Sequence, residues 1–591
     1  GPAVSMGDVD LNANATCRSR GEPQLDQAVR RWLRWDQNRW TRSQVESLLA
    51  AGRLDDLRTR LCSRMSFGTA GLRAPMGAGF SRINDLTVIQ TTQGLYSYLS
   101  RYFADFSSRG VVVGFDTRGQ EQSGCSSQRL AKLTAAVMLS RDVPVHLFST
   151  YVPTPYVVYW CNGAQISSPH DKEILRNIEE QLEPWSSSCW EENLVESCSL
   201  RTDPLSQINS CYMEELTSLC FHRDMNRSCP LKFVHSSFHG VGHTYVQQAF
   251  LAFGFTPPIP VPEQRDPDPY FSSVRCPNPE EGESVLELSL RLAEKEDARV
   301  VMATDPDADR LAVAENGWKV FTGNELAALL GWWMFLNWRE THPDPADSQK
   351  VYMLATTVSS KILQAFARIE GFHFEETLPG FKWIGNRIHD LAKTGNSVIF
   401  SFEESIGFLC GSLVPEKDGV SAAVVVAEMA AYLHNKNLSL TQQLHSIYQT
   451  YGYHVSKTSY VVCNDPPTIK RIFSRIRNFD GVGSYPQTCG GVQIVHVRDV
   501  TTGYDSSQRG LRPVLPVTTS SHMITFTLQN GVVATLRTSG TEPKIKYYTE
   551  YCAAPGNSDV SRLEDELRRV TAALLDEFLE PEKNNLIRRC V

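Results

Sequence analysis

The chain has 591 residues, which is too long for one hydrophobic core and predicts three to five domains. Its composition, with 41% hydrophobic, 10% aromatic and 21% charged residues, is that of an ordinary globular protein. The net charge of −8 gives no electrostatic support for binding to nucleic acid or to an anionic membrane. Any anion must therefore be bound by local groups. The 15 cysteines include no C-x-x-C pair, which favours reduced thiols in the cytosol.

Strand-like and helix-like segments alternate along most of the chain, after a polar stretch at residues 1–21 that we expect to be disordered. The first block predicts strands at 111–115 and 143–148 around a helix at 126–139. The second predicts helices at 205–219 and 284–296 and strands at 231–235 and 298–303. The third predicts a helix at 324–338 and strands at 351–356, 372–377 and 398–402. The fourth combines strands at 491–497, 523–528 and 532–536 with a helix at 560–578. The longest apolar run, 326–338, is too short to span a bilayer.

An acidic loop follows the predicted strand at 298–303. Asp305, Asp307 and Asp309 occupy alternate positions in it, and Arg310 follows them. Loops that leave buried strands lie at the carboxyl edge of a sheet, where open α/β proteins bind ligands. Three hard oxygen donors round one point suit Mg²⁺, whereas the alternative is an acidic surface turn. The pattern favours a metal site with Arg310 as an anion partner.

A turn of small residues near the C-terminus lies between cations. It contains Ser539, Gly540 and Thr541, with Arg537 before it and Lys546 after it. Backbone N–H groups, hydroxyls and cations in such a turn form a concave site for a phosphate. The alternative is a polar hairpin turn, since Ser-Gly is ordinary turn chemistry.

Two further loops follow predicted strands of the third block. Glu403, Glu404 and Ser405 could accept hydrogen bonds from sugar hydroxyls, although a capping loop is an equal alternative. Lys382 stands at a predicted helix start after Gly380, where a cation opposes the helix dipole unless an anion is near.

Glycine-rich loops at 67–73 and 114–118 add Arg73 and Arg118. His239 lies in a glycine-rich turn, and we interpret it as structural rather than catalytic.

These segments together resemble the α-D-phosphohexomutase superfamily, over residues 24–588. Within the superfamily, the sequences of several segments are similar to those of the animal phosphopentomutase branch. These segments are 67–73, 116–120, 276–282 and 377–385. The resemblance implies an α/β fold of four domains in a heart-like arrangement, three α/β domains with mixed sheets and a C-terminal α+β domain. The expected boundaries are 22–202, 203–322, 323–455 and 456–591.

The resemblance also implies roles for single residues. Asp305, Asp307 and Asp309 match the Mg²⁺ ligands. The residues matching substrate contacts are Arg73 at the reacting phosphate, Gly380, Glu403 and Ser405 at the sugar, Lys417, and a distal phosphate clamp of Arg537, Ser539, Gly540, Thr541 and Lys546.

One family element is missing. Phosphohexomutases have a Thr-Ala-Ser-His-Asn-Pro loop whose serine carries the transferable phosphate, and no Ser-His-Asn occurs in this chain. The segments that flank the loop in relatives abut at residues 157 and 158, so a βα unit of roughly 30 residues is absent. Ser167 and Ser168 are the nearest hydroxyls beside a histidine, and we expect neither to replace the serine. Loss of a strand also exposes a sheet edge or forces a new pairing.

The resemblance implies phosphoryl transfer from 1,3-bisphosphoglycerate to glucose 1-phosphate, through a phosphoserine and Mg²⁺, to give glucose 1,6-bisphosphate. Because the serine is missing, we expect this activity to be impaired and the Mg²⁺ affinity to be weak. The alternatives are phosphopentomutase or phosphoglucomutase activity, or a catalytically dead protein that only binds sugar phosphate.

Overall fold

The computed structural model describes residues 22–157, 160–274, 276–540 and 542–589. Residues 1–21, Val158 at the expected junction, and Thr541 lie outside the described residues. Contacts divide the chain into two compact units. The first contains Gly1–Val320 and Leu413–Ala431, and the second contains Phe321–Ser412 and Tyr432–Val591.

The first unit begins with helices that the sequence analysis did not predict. They are α1 (Pro23–Trp35), α2 (Arg39–Ala50), α3 (Leu54–Leu61) and, after the hairpin of β1 (Phe67–Gly68) and β2 (Gly71–Leu72), α4 (Asp85–Tyr102). Leu25, Val29 and Trp32 recur at helical spacing on one buried face of α1. A capping box of Asn84 and Thr87 fixes the start of α4.

A small parallel sheet follows in the order β3-β6-β7, with β3 at one edge. Its strands are β3 (Val111–Val113), β6 (Val145–Leu147) and β7 (Arg201–Thr202), and the hairpin of β4 (Gly119–Gln120) and β5 (Cys125–Ser126) lies outside it. The helices of this region are α5 (Phe106–Arg109), α6 (Ser127–Leu139), α7 (His170–Glu180) and α8 (Glu192–Ser197).

A five-stranded sheet completes the first unit, in the order β12-β11-β10-β8-β9. Its strands are β8 (Phe233–Ser236), β9 (Ile259–Pro260), β10 (Val300–Thr304), β11 (Leu311–Glu315) and β12 (Lys319–Val320). The central strand β10 is parallel to β8 and antiparallel to β11, and all of its residues are buried. The accompanying helices are α9 (Leu205–Leu216), α10 (Arg223–Arg227), α11 (Gly242–Ala252), α12 (Pro262–Arg265) and α13 (Glu283–Glu296).

The second unit begins with a four-stranded sheet in the order β14-β13-β15-β16. Its strands are β13 (Val351–Thr356), β14 (His373–Thr377), β15 (Ser397–Glu403) and β16 (Gly407–Cys410). The first three are mutually parallel, so the loops after them leave at one edge. The helices are α14 (Gly323–Thr341), α15 (Ile362–Glu370), α16 (Phe381–Lys393), α17 (Gly419–Asn435), whose N-terminal part belongs to the first unit, and α18 (Leu440–Tyr451).

A mainly antiparallel sheet of eight strands forms the rest of the second unit. It contains β17 (His454–Val462), β18 (Thr488–Cys489), β19 (Val492–Asp499), β20 (Tyr504–Asp505), β21 (Met523–Leu528), β22 (Val532–Thr538), β23 (Lys544–Cys552) and β24 (Ile587–Arg588). Two helices accompany it, α19 (Pro466–Arg477) and α20 (Val560–Leu574), and a π-helical turn, Leu575–Leu579, continues α20. Short 3₁₀ segments occur at Glu121–Ser123, Thr154–Tyr156, Ser187–Trp190, Thr217–Leu219, Pro279–Glu281 and Pro345–Lys350.

Within the described residues, every helix is too short or too polar to cross a bilayer. The described cysteines are all free thiols.

Candidate functional site

The acidic loop lies at the carboxyl end of β10, as the sequence predicts. The chain turns after Thr304 and returns as β11, with Ala308 at a positive φ of 57° and its N–H donating to the carbonyl oxygen of Asp305 at 3.0 Å. The carboxyl end of the parallel strands β8 and β10 is the edge where open α/β sheets bind ligands.

The three carboxylates of this loop come together and are largely removed from water. Ligand oxygens of Asp305, Asp307 and Asp309 lie within 4.8 Å of one another. Burial, and then the neighbouring carboxylates, raise the pKa of Asp305 well above its usual range, and burial and Asp309 raise the pKa of Asp307. Among the described residues, Oδ1 of Asp309 is buried and has no hydrogen-bond partner. A divalent cation would relieve this repulsion and satisfy that oxygen, so the donor set fits a hard metal ion.

Polar groups from other segments hold the carboxylates in place. The Thr154 hydroxyl donates to Oδ2 of Asp307 at 2.7 Å, and the Thr154 N–H donates to the Asp307 carbonyl oxygen at 3.0 Å. The backbone N–H of Arg310 donates to Oδ1 of Asp305 at 3.1 Å. The positive charge of Arg118 acts on both Asp305 and Asp307.

Lys417 forms an ion pair with Asp309. Its Nζ lies 3.1 Å from Oδ2 of Asp309 and 3.4 Å from Oε1 of Glu416. Glu416 is buried and accepts a hydrogen bond from Gln165 at 2.6 Å. The N–H of Gly419 donates to the Ala308 carbonyl oxygen at 3.0 Å, which ties the start of α17 to the acidic loop.

Two adjoining cavities lie next to the acidic loop inside the first unit. The smaller has a volume of about 420 Å³ and the wider one of about 940 Å³, and Asp307 lines both. Arg73, Asp309 and Lys417 also line the wider cavity, and Arg73 is exposed at its rim. The structure therefore brings Arg73 and Lys417 to the same cavity as two of the predicted metal ligands.

The predicted sugar loops lie at one edge of the β13–β16 sheet in the second unit. Gly380 follows β14 with a φ of 115°, a conformation that favours glycine, and it precedes α16. Glu403 ends β15, and Glu403 and Ser405 are both half-buried. Glu404 instead accepts hydrogen bonds from Thr356 at 3.0 Å and Ser359 at 3.2 Å, so it serves to order this edge.

The predicted phosphate turn joins β22 to β23. Arg537 and Lys546 are directly opposite on these strands, and among the described residues neither side chain makes a hydrogen bond or an ion pair. Like charges directly opposite destabilise a sheet, so the pair favours a bound anion. The Ser539 hydroxyl accepts from the Glu542 N–H at 3.2 Å, Gly540 is exposed, and Thr541 lies outside the described residues.

Sequence reasoning missed several residues of the first site. Thr154, Gln165 and Glu416 were given no role from the sequence, and the tertiary structure brings Thr154 to Asp307 and Gln165 to Glu416. His239 has a φ of 61° and is buried, with Nδ1 3.1 Å from the Asp266 carbonyl oxygen and Nε2 2.6 Å from the Ser273 hydroxyl. The Ser168 hydroxyl donates to Asp171 at 3.0 Å, and no contact joins Ser167 to the acidic loop among the described residues.

Comparison with known proteins gives matches along nearly the whole chain. Models of the phosphoglucomutase/phosphomannomutase α/β/α domains I, II and III match residues 64–162, 210–318 and 322–451. Human glucose 1,6-bisphosphate synthase is 63% identical over 617 aligned positions that cover 99% of each chain, and human phosphopentomutase is 53% identical, covering 96% of this chain and 97% of that protein. A putative phosphomannomutase structure from Thermus thermophilus shares the fold at 18% identity, with a TM-score of 0.59, covering 86% of this chain and 99% of that one.

The first of these alignments is longer than the chain itself, 617 positions against 591 residues, so it includes positions that have no residue here. The matched domains, the sequence identity and the shared fold lead to one conclusion: the chain belongs to the α-D-phosphohexomutase superfamily.

Proposed function

We propose that this chain is a Mg²⁺-binding sugar-phosphate protein of the glucose 1,6-bisphosphate synthase type, with phosphoryl transfer impaired by the missing serine loop. The observation that carries the proposal is the buried cluster of Asp305, Asp307 and Asp309 beside a cavity that also contains Arg73 and Lys417. Such a set of charges is suited to phosphoryl transfer, where catalysis is mostly positioning and charge neutralisation. The relatives supply the reaction type.

The acidic cluster would hold Mg²⁺, which supplies charge neutralisation for a phosphoryl group when it is bound. Lys417 offsets the charge of Asp309, and the backbone N–H of Arg310 and the hydroxyl of Thr154 orient the other two carboxylates. Arg73, which makes no ion pair among the described residues, is available to a phosphate at the rim of the cavity.

The second unit contributes recognition in this proposal. Arg537 and Lys546 are a pair of cations without an anionic partner among the described residues, and they would bind a phosphate with Ser539, Gly540 and Thr541. Glu403 and Ser405 would accept or donate hydrogen bonds to sugar hydroxyls, with Gly380 lining the same sheet edge.

The impairment follows from the absence of a covalent carrier for the phosphoryl group. Thr154 is a poor substitute, because its hydroxyl is bound to Asp307 and a phosphate there would be repelled by that carboxylate. The resemblance implies that the serine-bound phosphate lies beside the metal, so we also expect Mg²⁺ to bind weakly without it.

The test uses the full chain with Mg²⁺, 1,3-bisphosphoglycerate and glucose 1-phosphate, and human glucose 1,6-bisphosphate synthase as the active reference. Intact-protein mass spectrometry measures protein-bound phosphate, and an enzymatic assay measures glucose 1,6-bisphosphate in the same tube. We expect no stable phosphoprotein and a rate lower than the reference by about 10³-fold or more. Product at a comparable rate, with one phosphate bound, would show that another residue is the nucleophile.

The same assay, with other substrates, distinguishes the two alternatives, which are mutase activity and binding of sugar phosphate without turnover. Ribose 1-phosphate as the substrate, with glucose 1,6-bisphosphate as the phosphate donor, tests phosphopentomutase activity. Glucose 1-phosphate with the same donor tests phosphoglucomutase activity. Binding of glucose 1,6-bisphosphate in calorimetry, without turnover of any substrate, identifies a protein that only binds sugar phosphate.

The cytosol, where free thiols persist, is the compartment we propose.

A further inference from the structure

A buried tyrosine of the first unit reaches the segment that carries Lys417. Tyr212 lies on α9, 206 residues before Asp418 in the chain, and its hydroxyl donates to Oδ2 of Asp418 at 2.5 Å. The two residues are 6% and 1% exposed, so water does not compete for this hydrogen bond. Neither of them lines the two cavities beside the acidic loop. Any effect of Tyr212 on that loop must therefore pass through Asp418.

Asp418 fixes the start of α17. Its Oδ1 accepts hydrogen bonds from the backbone N–H groups of Val420 at 2.9 Å and Ser421 at 3.1 Å, which is the arrangement of an aspartate at a helix N-cap. Burial raises the pKa of this carboxyl, and the hydrogen bond from Tyr212 is the largest effect that opposes the rise. The tyrosine hydroxyl therefore stabilises the ionised form of the cap.

The residues on either side of Asp418 contact the acidic loop. Lys417 Nζ lies 3.1 Å from Oδ2 of Asp309, and the N–H of Gly419 donates to the Ala308 carbonyl oxygen at 3.0 Å. Because Asp418 lies between these two residues in the chain, a displacement of its carboxylate moves both contacts. The cap of α17 and the position of the acidic loop are thus connected.

We propose that Tyr212 is a positioning residue for the acidic loop, acting through Asp418 on Lys417 and Gly419. Groups outside a ligand set that hold metal ligands in place fix the orientation of those ligands, and loss of one typically lowers metal affinity by about 10–100-fold. The inference rests on the metal site of the proposed function. It concerns the geometry of that site and assigns Tyr212 no contact with a substrate.

Hydrogen exchange measured by mass spectrometry in the metal-free chain tests the positioning directly. Tyr212→Phe removes the hydroxyl and keeps the ring, which packs on Tyr156 with 4.8 Å between ring centroids. We expect exchange about tenfold faster at residues 305–310 and 417–421, because a hydrogen bond to a buried carboxylate is lost. Exchange in the buried strand β8 of the same unit should be unchanged, which excludes a general loosening of the unit.

Tyr245→Phe is the matched control. Tyr245 belongs to the same aromatic cluster, with its ring centroid 5.1 Å from that of Tyr156, and its hydroxyl donates to the Tyr151 carbonyl oxygen at 2.8 Å. The residue is as deeply buried as Tyr212. The variant loses the same atom but leaves the hydrogen bond to Asp418 intact, so we expect unchanged exchange at residues 305–310.

A second variant tests whether Tyr212 acts through Asp418. Asp418→Ser keeps a good N-cap residue for α17 but lacks the oxygen that accepts from Tyr212. In that background Tyr212→Phe should change exchange at residues 305–310 by less than about twofold, because the shared hydrogen bond is already lost. Should Tyr212→Phe fail to fold, Asp418→Ser alone decides the matter, since it removes the same hydrogen bond.

Calorimetric titration with Mg²⁺ gives a second readout. We expect an affinity about tenfold lower in Tyr212→Phe and an unchanged affinity in Tyr245→Phe. A chain that binds no Mg²⁺ would remove the metal from the proposed function, whereas exchange in the metal-free chain would still decide the role of Tyr212.

Three results would overturn the inference. They are unchanged exchange at residues 305–310 in Tyr212→Phe, an equal acceleration in Tyr245→Phe, and an undiminished effect of Tyr212→Phe in the Asp418→Ser background.

Discussion

Repulsion between buried carboxylates is the main electrostatic feature at the scale of single residues. Asp307→Asn should lower the Mg²⁺ affinity at least tenfold, because it removes a charged ligand, and should raise the thermal stability of the metal-free protein, because it removes repulsion with Asp305 and Asp309. Calorimetric titration and thermal unfolding measure the two effects. Asp224→Asn, which changes a fully exposed side chain, is the matched control. Lower stability together with unchanged Mg²⁺ affinity would contradict the metal assignment.

The opposed cations Arg537 and Lys546 also predict opposite effects of a substitution on ligand affinity and on stability. Arg537→Gln should weaken the binding of glucose 1,6-bisphosphate and should slightly raise the stability of the free protein, since like charges opposite each other cost about 0.2–1 kcal/mol. Arg568→Gln, on the exposed face of α20, serves as the control. Titration of the sugar bisphosphate and chemical denaturation separate the outcomes, and unchanged affinity in Arg537→Gln would exclude the clamp.

A buried carboxyl that belongs to neither candidate site predicts how stability depends on pH. Burial raises the pKa of Asp36 to about 7, although Thr41 and the Asn38 N–H donate hydrogen bonds to it. A raised folded-state pKa stabilises the fold fully below the unfolded value of 3.8, and this contribution is lost as the pH rises through about 7.

The contribution of Asp36 to the free energy of unfolding should therefore fall between pH 3.8 and about pH 7. The fall should reach a few kcal/mol, on the order of 1.4 kcal/mol per unit of pKa shift. Asp36→Asn should remove this part of the pH dependence, and Asp55→Asn, which changes a fully exposed side chain, should leave it unchanged. Urea denaturation at several pH values gives the profile. If the free energy of unfolding rises over this range in the unsubstituted chain but not in Asp36→Asn, folding lowers the pKa of Asp36 instead of raising it.

At the scale of elements, the acidic loop depends on the start of α17. A Cβ on Gly419 would lie 2.5 Å from the carbonyl oxygen of Arg310 and 2.8 Å from that of Ala308, so Gly419→Ala must displace the acidic loop. We expect weaker Mg²⁺ binding and a loss of about 1–3 kcal/mol of stability, despite the higher helix propensity of alanine. Gly510→Ala is the control, because a Cβ there meets no atom within 4 Å. Equal Mg²⁺ affinity in the two variants would show that the contact is unimportant.

Strands that are apolar runs between turn signals were predicted well from the sequence, whereas helices with buried polar residues were not. The strands at 351–356 and 523–528 have the predicted bounds, because both are apolar, β-branched or aromatic runs between turn signals. The sequence analysis missed α1 and α4, whose buried faces are interrupted by polar residues. Asp26 on α1 and Gln90 and Gln93 on α4 are buried polar residues that only the tertiary structure accommodates.

In the candidate site, too, local features were predicted from the sequence and tertiary contacts were not. The spacing of Asp305, Asp307 and Asp309 predicts a cluster because alternate residues of a short loop converge locally. Thr154 and Gln165 reach the acidic loop and Glu416 from segments distant in sequence, and no local pattern encodes such contacts. β3 lies at an edge of its sheet, and no described strand pairs with its free side.

At the scale of the whole molecule, the serine loop that the resemblance implies to be missing between residues 157 and 158 connects stability to activity. Inserting the corresponding segment of human glucose 1,6-bisphosphate synthase between Val157 and Val158 should pair the edge of β3 and cover the half-buried side chains of Leu95 and Leu130. Newly buried apolar surface contributes about 25 cal/mol per Å², and together with the new main-chain hydrogen bonds it must exceed the entropy of ordering the insert, about 1–2 kcal/mol per residue.

The chimera should therefore unfold at a higher temperature than the natural chain, exchange more slowly at residues 110–115, and gain one phosphate with product formation from 1,3-bisphosphoglycerate. A glycine-serine insert of equal length is the control, and it should raise none of these. A chimera that is stabilised yet inactive would show that further residues outside the segment limit the chemistry. A chimera that is neither stabilised nor phosphorylated would show that β3 and its cavity are not the place from which the segment is missing, because a strand restored to its own edge must gain both hydrogen bonds and buried surface.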